Sequence, residues 1–252
     1  MSTMSEFLPE ILIAFLCLAA GGVLKGATGA GAPVLAVPAL AMMFDVRVAV
    51  VTMLVPNLLT NVWQAWQFRG DRLPNRFILA FSLAGAIGVV GGTVMLAAFS
   101  PRVLLLIVAV AVLLYIAARL ARPDLLLSRE LATRLAVPAG AVAGVLQGSG
   151  GLSAPVSLTF LNAMGLTRTH FISTVSIFFA VMTLAQVPMM GALGLLTWQG
   201  LALSFLAMLP ILAFMPVGAA LARRFSKEAF DRAILALLSV LAIKLIYDFA
   251  IG

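Results

Sequence analysis

Apolar runs of about 20 residues recur along the chain between short polar connectors, a pattern that predicts bilayer-crossing helices. Val48 to Gln67, Phe77 to Phe99 and Trp198 to Ala222 contain no charged residue. Each is long enough to cross a hydrocarbon core about 30 Å thick. The first run, Phe7 to Leu24, lacks the positive leader of a signal peptide, having Glu6 and Glu10 around its start, so it reads as a retained segment.

The runs fall into two sets. Shifting the sequence against itself by 122 residues lays Gly22 to Val34 over Gly144 to Val156, with eight of thirteen positions identical. Thr52 then falls over Thr174 and Gln64 over Gln186, and after a further four-residue shift Gly92, Phe99 and Ser100 fall over Gly218, Phe225 and Ser226. The spacing predicts an internal duplication into residues 1–122 and 123–252, forming one membrane domain. Each copy reads as a pair of apolar segments around a Gly/Pro break, 7 to 24 with 33 to 44 and 133 to 147 with 155 to 166. Three uninterrupted spans follow, about 47 to 67, 77 to 99 and 102 to 121, then 170 to 190, 198 to 222 and 233 to 250.

A broken pair returns the chain to its starting side, whether it forms a re-entrant hairpin or two crossings. Three further crossings make the count odd, so the second copy is expected to be inverted. Lys and Arg gather in short cytoplasmic loops, and the inverted arrangement puts 67 to 76, 119 to 134, 166 to 169 and 222 to 232 inside. Those connectors hold twelve basic residues, against Arg47, Arg102 and Lys244 near the outer face, which places both termini outside. The equivalent connectors 67 to 76 and 191 to 197 carry three arginines and none. The expected fold class is all-α integral membrane, with two inverted repeats, each a broken helix pair plus three transmembrane helices.

Composition supports this and narrows the function. With 63% apolar and 10% charged residues and a mean hydropathy of +1.16, the chain cannot cover a soluble domain with polar surface. The net charge of +7 would suggest nucleic acid in a soluble protein, but here the basic residues sit in the connectors and set topology, so no nucleic-acid partner is expected. The single cysteine, Cys17, can form neither a disulfide framework nor a cysteine metal site within one chain.

Candidate chemistry concentrates at the two breaks. Inverted repeats place substrate near the midplane where discontinuous helices meet, and a Gly/Pro interruption at matching positions is the sequence pointer. Interrupted backbone persists in a membrane only against protein or a water-filled cavity. Pro33 and Pro155 suit the first turn of the helix after each break. The glycines before them can present N–H groups to an anion at that helix N-terminus. Two such ends facing each other would form a cradle, with Lys25 adding a full positive charge and its counterpart Gln147 none. The candidate substrate-binding residues are Lys25, Gly26, Gly29, Gly31 and Pro33 with Gln147, Gly148, Gly150, Gly151, Ser153 and Pro155.

Each assignment has a plainer alternative. Lys25 could snorkel to an interface. Gly22 with Gly26, Gly88 with Gly92 and Gly144 with Gly148 are spaced for close helix packing. Packing is the better account of Gly22, Gly88, Gly92 and Gly144, and binding the better account of Gly29, Gly31, Gly150 and Gly151. Asn57, Asn61 and Gln64, with Ser173, Thr174, Ser176, Thr183 and Gln186 in the second copy, could line the site or hydrogen-bond between helices.

Apart from Glu10 near the start of the first run, no carboxylate lies within an apolar segment except Asp248, so a carboxylate proton relay is disfavoured. The only histidine, His170, lies at a segment boundary with no triad or metal cluster around it, so an intramembrane enzyme is disfavoured and no cofactor or metal is expected. The glycine patterns match neither a phosphate loop nor a dinucleotide fingerprint.

The duplicated pattern Gly22-x-x-Lys25-Gly26-x-x-Gly29-x-Gly31-x-Pro33 and Gly144-x-x-Gln147-Gly148-x-Gly150-Gly151-x-x-x-Pro155 resembles the TauE/SafE sulfite exporter family over essentially the whole chain. The resemblance implies an inner-membrane carrier of small sulfur-containing anions such as sulfite or organosulfonates, with the two motifs on the transport path. Ser153 opposite Gly31 and Gln147 opposite Lys25 depart from symmetry. The expected partners are the small anion and the lipid bilayer, with a homodimer left open. An anion channel or an importer of similar construction is the alternative within transport.

Overall fold

The computed structural model describes residues 4–121, 126–224 and 227–251, all helical apart from connectors. Eleven helices follow in order: α1 Met4–Thr28, α2 Ala32–Met43, α3 Val46–Thr52, α4 Leu54–Gln67, α5 Asn75–Ala98, α6 Pro101–Ala121, α7 Arg129–Gly150, α8 Ala154–Ala163, α9 Arg168–Ala192, α10 Trp198–Arg224 and α11 Lys227–Ile251. Among the described residues, six spans are long and apolar enough to cross a membrane, Pro9–Thr28, Val46–Gln67, Asn75–Ala98, Pro101–Ala121, Arg168–Ala192 and Trp198–Arg224. Large apolar side chains such as Ile87, 76% exposed, face outward, as they do when the surrounding solvent is lipid. The protein is a multi-pass membrane protein.

The breaks fall where glycine and proline put them. Gly29 and Gly151 end α1 and α7 with positive φ, 80° and 68°. Each donates its N–H back four residues, Gly29 to the Lys25 carbonyl at 2.7 Å and Gly151 to the Gln147 carbonyl at 2.8 Å. A left-handed residue closing the last turn is the usual C-terminal solution, and glycine adopts it without steric cost. Gly31 and Ser153 then occupy the N-cap positions of α2 and α8, with the prolines in the first turn. At about 1.5 Å per residue, α2 and α8 rise only about 18 and 15 Å, too short to cross alone. α1 and α7 have full spanning length, so each pair is one long helix followed by a short one folded back.

One expected span is divided. Residues 47 to 67 read as uninterrupted, but the structure separates α3 from α4 at Met53. Pro56 has no N–H for the Thr52 carbonyl four residues back. Ser204 on α10 fills the gap, donating its hydroxyl to Thr52 O at 3.0 Å and accepting from Val55 N at 2.9 Å.

Packing follows the glycines. Gly22 and Gly26 of α1 lie against Ile211 and Met215 of α10, and Gly218 of α10 against Val23. Gly144 and Gly148 of α7 lie against Gly85 and Val89 of α5, and Gly92 against Val145. In both seams a turn further on one helix meets a turn further on the other, so α1 runs parallel to α10 and α7 to α5. Asn57 with Thr183 and Gln64 with Ser176 instead pair α4 and α9 antiparallel. Arg102, at the start of α6, bonds Phe249 O near the end of α11, so these two are antiparallel as well.

The core is aromatic where α5, α8 and α9 meet. Phe81 stacks on Phe178 with ring centroids 4.0 Å apart, and Phe160 lies 5.5 Å from Phe81.

Candidate functional site

Lys25 is in the last turn of α1, yet its side chain is 1% exposed. Side chains lean toward the N-terminus of their helix, so Lys25 reaches back into the protein instead of out to the nearer interface. Its Nζ donates to Asn61 Oδ1 at 2.8 Å, and no described residue forms an ion pair with it. An ammonium has three donors, of which Asn61 takes one. The side chain is buried in the protein, not snorkelling.

Asn61 passes the polarity on. Its Nδ2 donates to Asn57 O and Asn57 Oδ1, both at 2.7 Å, and Asn57 Nδ2 donates to Thr183 Oγ1 at 3.1 Å. Thr183 in turn donates to Phe179 O at 2.8 Å. From Lys25 to α9 every donor points the same way, joining α1, α4 and α9 through groups that are all buried. One turn along α4, Gln64 Oε1 accepts from Ser176 Oγ at 3.4 Å. The sequence left lining and interhelical bonding open for Asn57, Asn61 and Gln64, and all three take part in side-chain bonds that bridge helices.

Not every polar group in this layer is satisfied. Ser173 Oγ, Thr174 Oγ1 and both amide atoms of Gln186 on α9 are buried without a described partner. Native proteins leave few such groups unpaired, so their concentration on the helix that crosses α4 is informative.

At the breaks, Gly31 and Ala32 N–H in the first and Ser153 and Ala154 N–H in the second find no acceptor among the described residues, and all four residues are buried. Thr28 Oγ1 takes Ala30 N–H at 3.2 Å and itself donates to Leu24 O at 2.8 Å. Two buried backbone donors at each short helix's N-terminus are what an anion would require.

The breaks do not face each other. Gly29 packs against Ile172 near the start of α9, and Gly151 against Val50 of α3 and Val37 of α2. The α4–α9 contact runs from Asn57 with Thr183 to Gln64 with Ser176, so Ile172 lies beyond its Ser176 end and Val50 before its Asn57 end. The breaks therefore lie toward opposite ends of the crossing. Pro33 and Pro155 sit in the buried first turns beside them, and Gly150 packs on Val108.

Gly26 and Gly148 lie in the helix seams, where a Cβ would overlap the carbonyls of Met215 and Val89. Gln147, 6% exposed, lies one residue before Gly148 on α7. His170 is partly exposed and held by Thr167 Oγ1 to its Nδ1 at 2.7 Å, at the start of α9. The side chain of Asp248 lies outside the described residues.

Sequence reasoning missed two contributors. Ser204 gives no periodic or motif signal and is recognisable only once α10 packs on the Pro56 break. Arg168, counted only as a topology charge, donates to Ala27 O at 3.0 Å beside the first break.

Spanning helices, paired breaks and a buried polar chain around one lysine define a multi-pass membrane protein with a polar path through its interior. The model for the family Sulfite exporter TauE/SafE matches residues 13–245, and the chain belongs to that family. No curated protein and no solved structure matches it. Family and fold together make it a protein of transmembrane transport.

Proposed function

We propose that the protein exports a small sulfur-containing anion, sulfite or an organosulfonate, across the cell's inner membrane by alternating access between two inverted repeats. The observation that carries this is Lys25, a buried lysine whose described partner is one neutral amide. An unpaired charge within a membrane protein is costly and by default marks function, and an anion beside Lys25 would supply the missing countercharge. The unpaired N–H groups of Gly31 and Ala32 follow it in the same break, and those of Ser153 and Ala154 offer the equivalent donors at the second.

The contacts support duplication residue by residue. Displaced by 122 residues on α1 and 126 on α10, the contacts of Gly22 with Ile211, Gly26 with Met215 and Gly218 with Val23 become those of Gly144 with Gly85, Gly148 with Val89 and Gly92 with Val145. The antiparallel pairing of α4 with its counterpart α9, and of α6 with α11, supports inversion. Breaks lying toward opposite ends of the α4–α9 crossing suit a carrier in which each repeat controls access from one side. An inside-negative potential favours anion exit by about 2.3 kcal/mol per charge per 100 mV, so export needs no coupling ion.

Purified protein in proteoliposomes tests this with sulfite. Saturable flux accelerated by sulfite on the opposite side is expected. Linear, non-saturating flux would contradict the carrier, and no flux with sulfite or sulfonates would contradict the substrate class.

A further inference from the structure

Gln186 is 1% exposed, and neither its amide oxygen nor its amide nitrogen has a described partner. Burying an amide without hydrogen bonds is costly in a protein, and a leucine of similar size would avoid that cost. The repeat gives Gln186 a context. It falls over Gln64, Thr183 falls over Asn61, and Gln147 falls over Lys25. Gln64 and Asn61 belong to the layer that holds the Lys25 ammonium.

The packing puts the second set at one level of the bundle independently of the alignment. Gly85 of α5 meets both Met182 of α9 and Gly144 of α7. Phe81 stacks on Phe178 and Gly85 meets Met182, so α5 and α9 run parallel, as α5 and α7 do. One turn beyond that level come Gln186 on α9, Val89 on α5 and Gly148 on α7. Gln147 therefore stands at nearly the same level along the bundle as Gln186, on the other helix that packs against α5 and just before the Gly150–Gly151 break.

We infer that Gln147 and Gln186, with the unpaired N–H groups of Ser153 and Ala154, form a second, uncharged station for the transported anion in the half of the membrane opposite Lys25. This rests on the transport reading above and deepens it. Gln186 offers the anion an N–H₂ donor that has no other use in the structure. The station lacks a cation, so it holds the same anion more weakly than the Lys25 site. An anion moving from the Lys25 layer to the glutamine layer passes from a charged site to a neutral one, which favours release on the second side.

The test is sulfite exchange in right-side-out and inside-out membrane vesicles carrying the full chain. Gln186→Leu removes an unsatisfied amide, so it is expected to fold at least as well as the wild type, as checked by thermal melting. Its half-saturating sulfite concentration should rise about tenfold from the outer face, the scale of one lost hydrogen bond, and stay within about twofold from the inner face. Gln147→Lys should lower the outer value by about tenfold or more and slow exchange at saturation, because release then leaves an unpaired cation. Wild-type exchange from both faces in Gln186→Leu, or an equal loss from both, would overturn the station while leaving the transport reading intact. Absence of sulfite exchange in wild-type vesicles would overturn both.

Discussion

Ser204 donates its hydroxyl to the Thr52 carbonyl at 3.0 Å, the carbonyl that Pro56 leaves without its helical N–H. Ser204 Oγ also accepts from Val55 N at 2.9 Å, so one side chain on α10 satisfies both sides of the α3–α4 break. Ser204→Ala is therefore expected to strand two buried backbone groups and to destabilise the protein by about 1–3 kcal/mol per stranded group at most. Thermal melting in detergent measures it. A melting temperature equal to that of the wild type would show that the hydroxyl is dispensable.

The glycine seams predict a matched pair of defects. A Cβ on Gly26 or Gly148 would overlap a backbone carbonyl of the facing helix, which cannot rotate away as a side chain can. Gly26→Ala and Gly148→Ala should both lower melting temperature and folded yield substantially. Gly91→Ala, with nothing within 4 Å of the added atom, should be neutral or mildly stabilising. Equal behaviour of all three variants would contradict the close approach.

At Gly29 and Gly151 the backbone itself is the constraint. Both have positive φ, where an L side chain costs about 1–2 kcal/mol. Gly29→Ala should be the more damaging, because its methyl also overlaps Ile172, whereas the methyl of Gly151→Ala meets Val50 at 3.1 Å and Val37 at 3.2 Å. The measurement is the difference between the two melting temperatures, and a larger drop for Gly151→Ala would contradict the packing around Ile172.

Much of this was legible in the sequence. Charge-free runs gave the spans, and Gly29, Gly31, Pro33 and their counterparts gave the breaks, because glycine and proline act through local backbone geometry. Lys25 in the first break, with Asn57 and Asn61 inside an apolar run, marked residues that the buried polar chain joins. The arrangement of the breaks was not legible. Facing N-termini were expected around one midplane cradle, but their placement depends on how far α1 and α7 run before breaking and on the register of α4 against α9. Gly26 and Gly148 fit both a binding motif and a packing motif, and only the positions of Met215 and Val89 show the seam.

The orientation proposed from the charges is open to direct test. Arg102 bonds Phe249 O, which ties the C-terminal end of α11 to the start of α6. From the twelve connector cations we propose that both lie on the outer side. A C-terminal reporter active only outside the cytoplasm should give signal. A fluorescent cytoplasmic reporter at that end would invert the account.

The central claim is that Lys25 is the charge partner of the transported anion. Lys25→Met keeps most of the side chain's volume while removing the ammonium and leaving Asn61 Oδ1 without its donor. Sulfite binding to purified protein, read by calorimetry beside a melting curve, tests it most directly. The account predicts that Lys25→Met folds and loses detectable sulfite binding, whereas a folded variant that binds sulfite with wild-type affinity would contradict it.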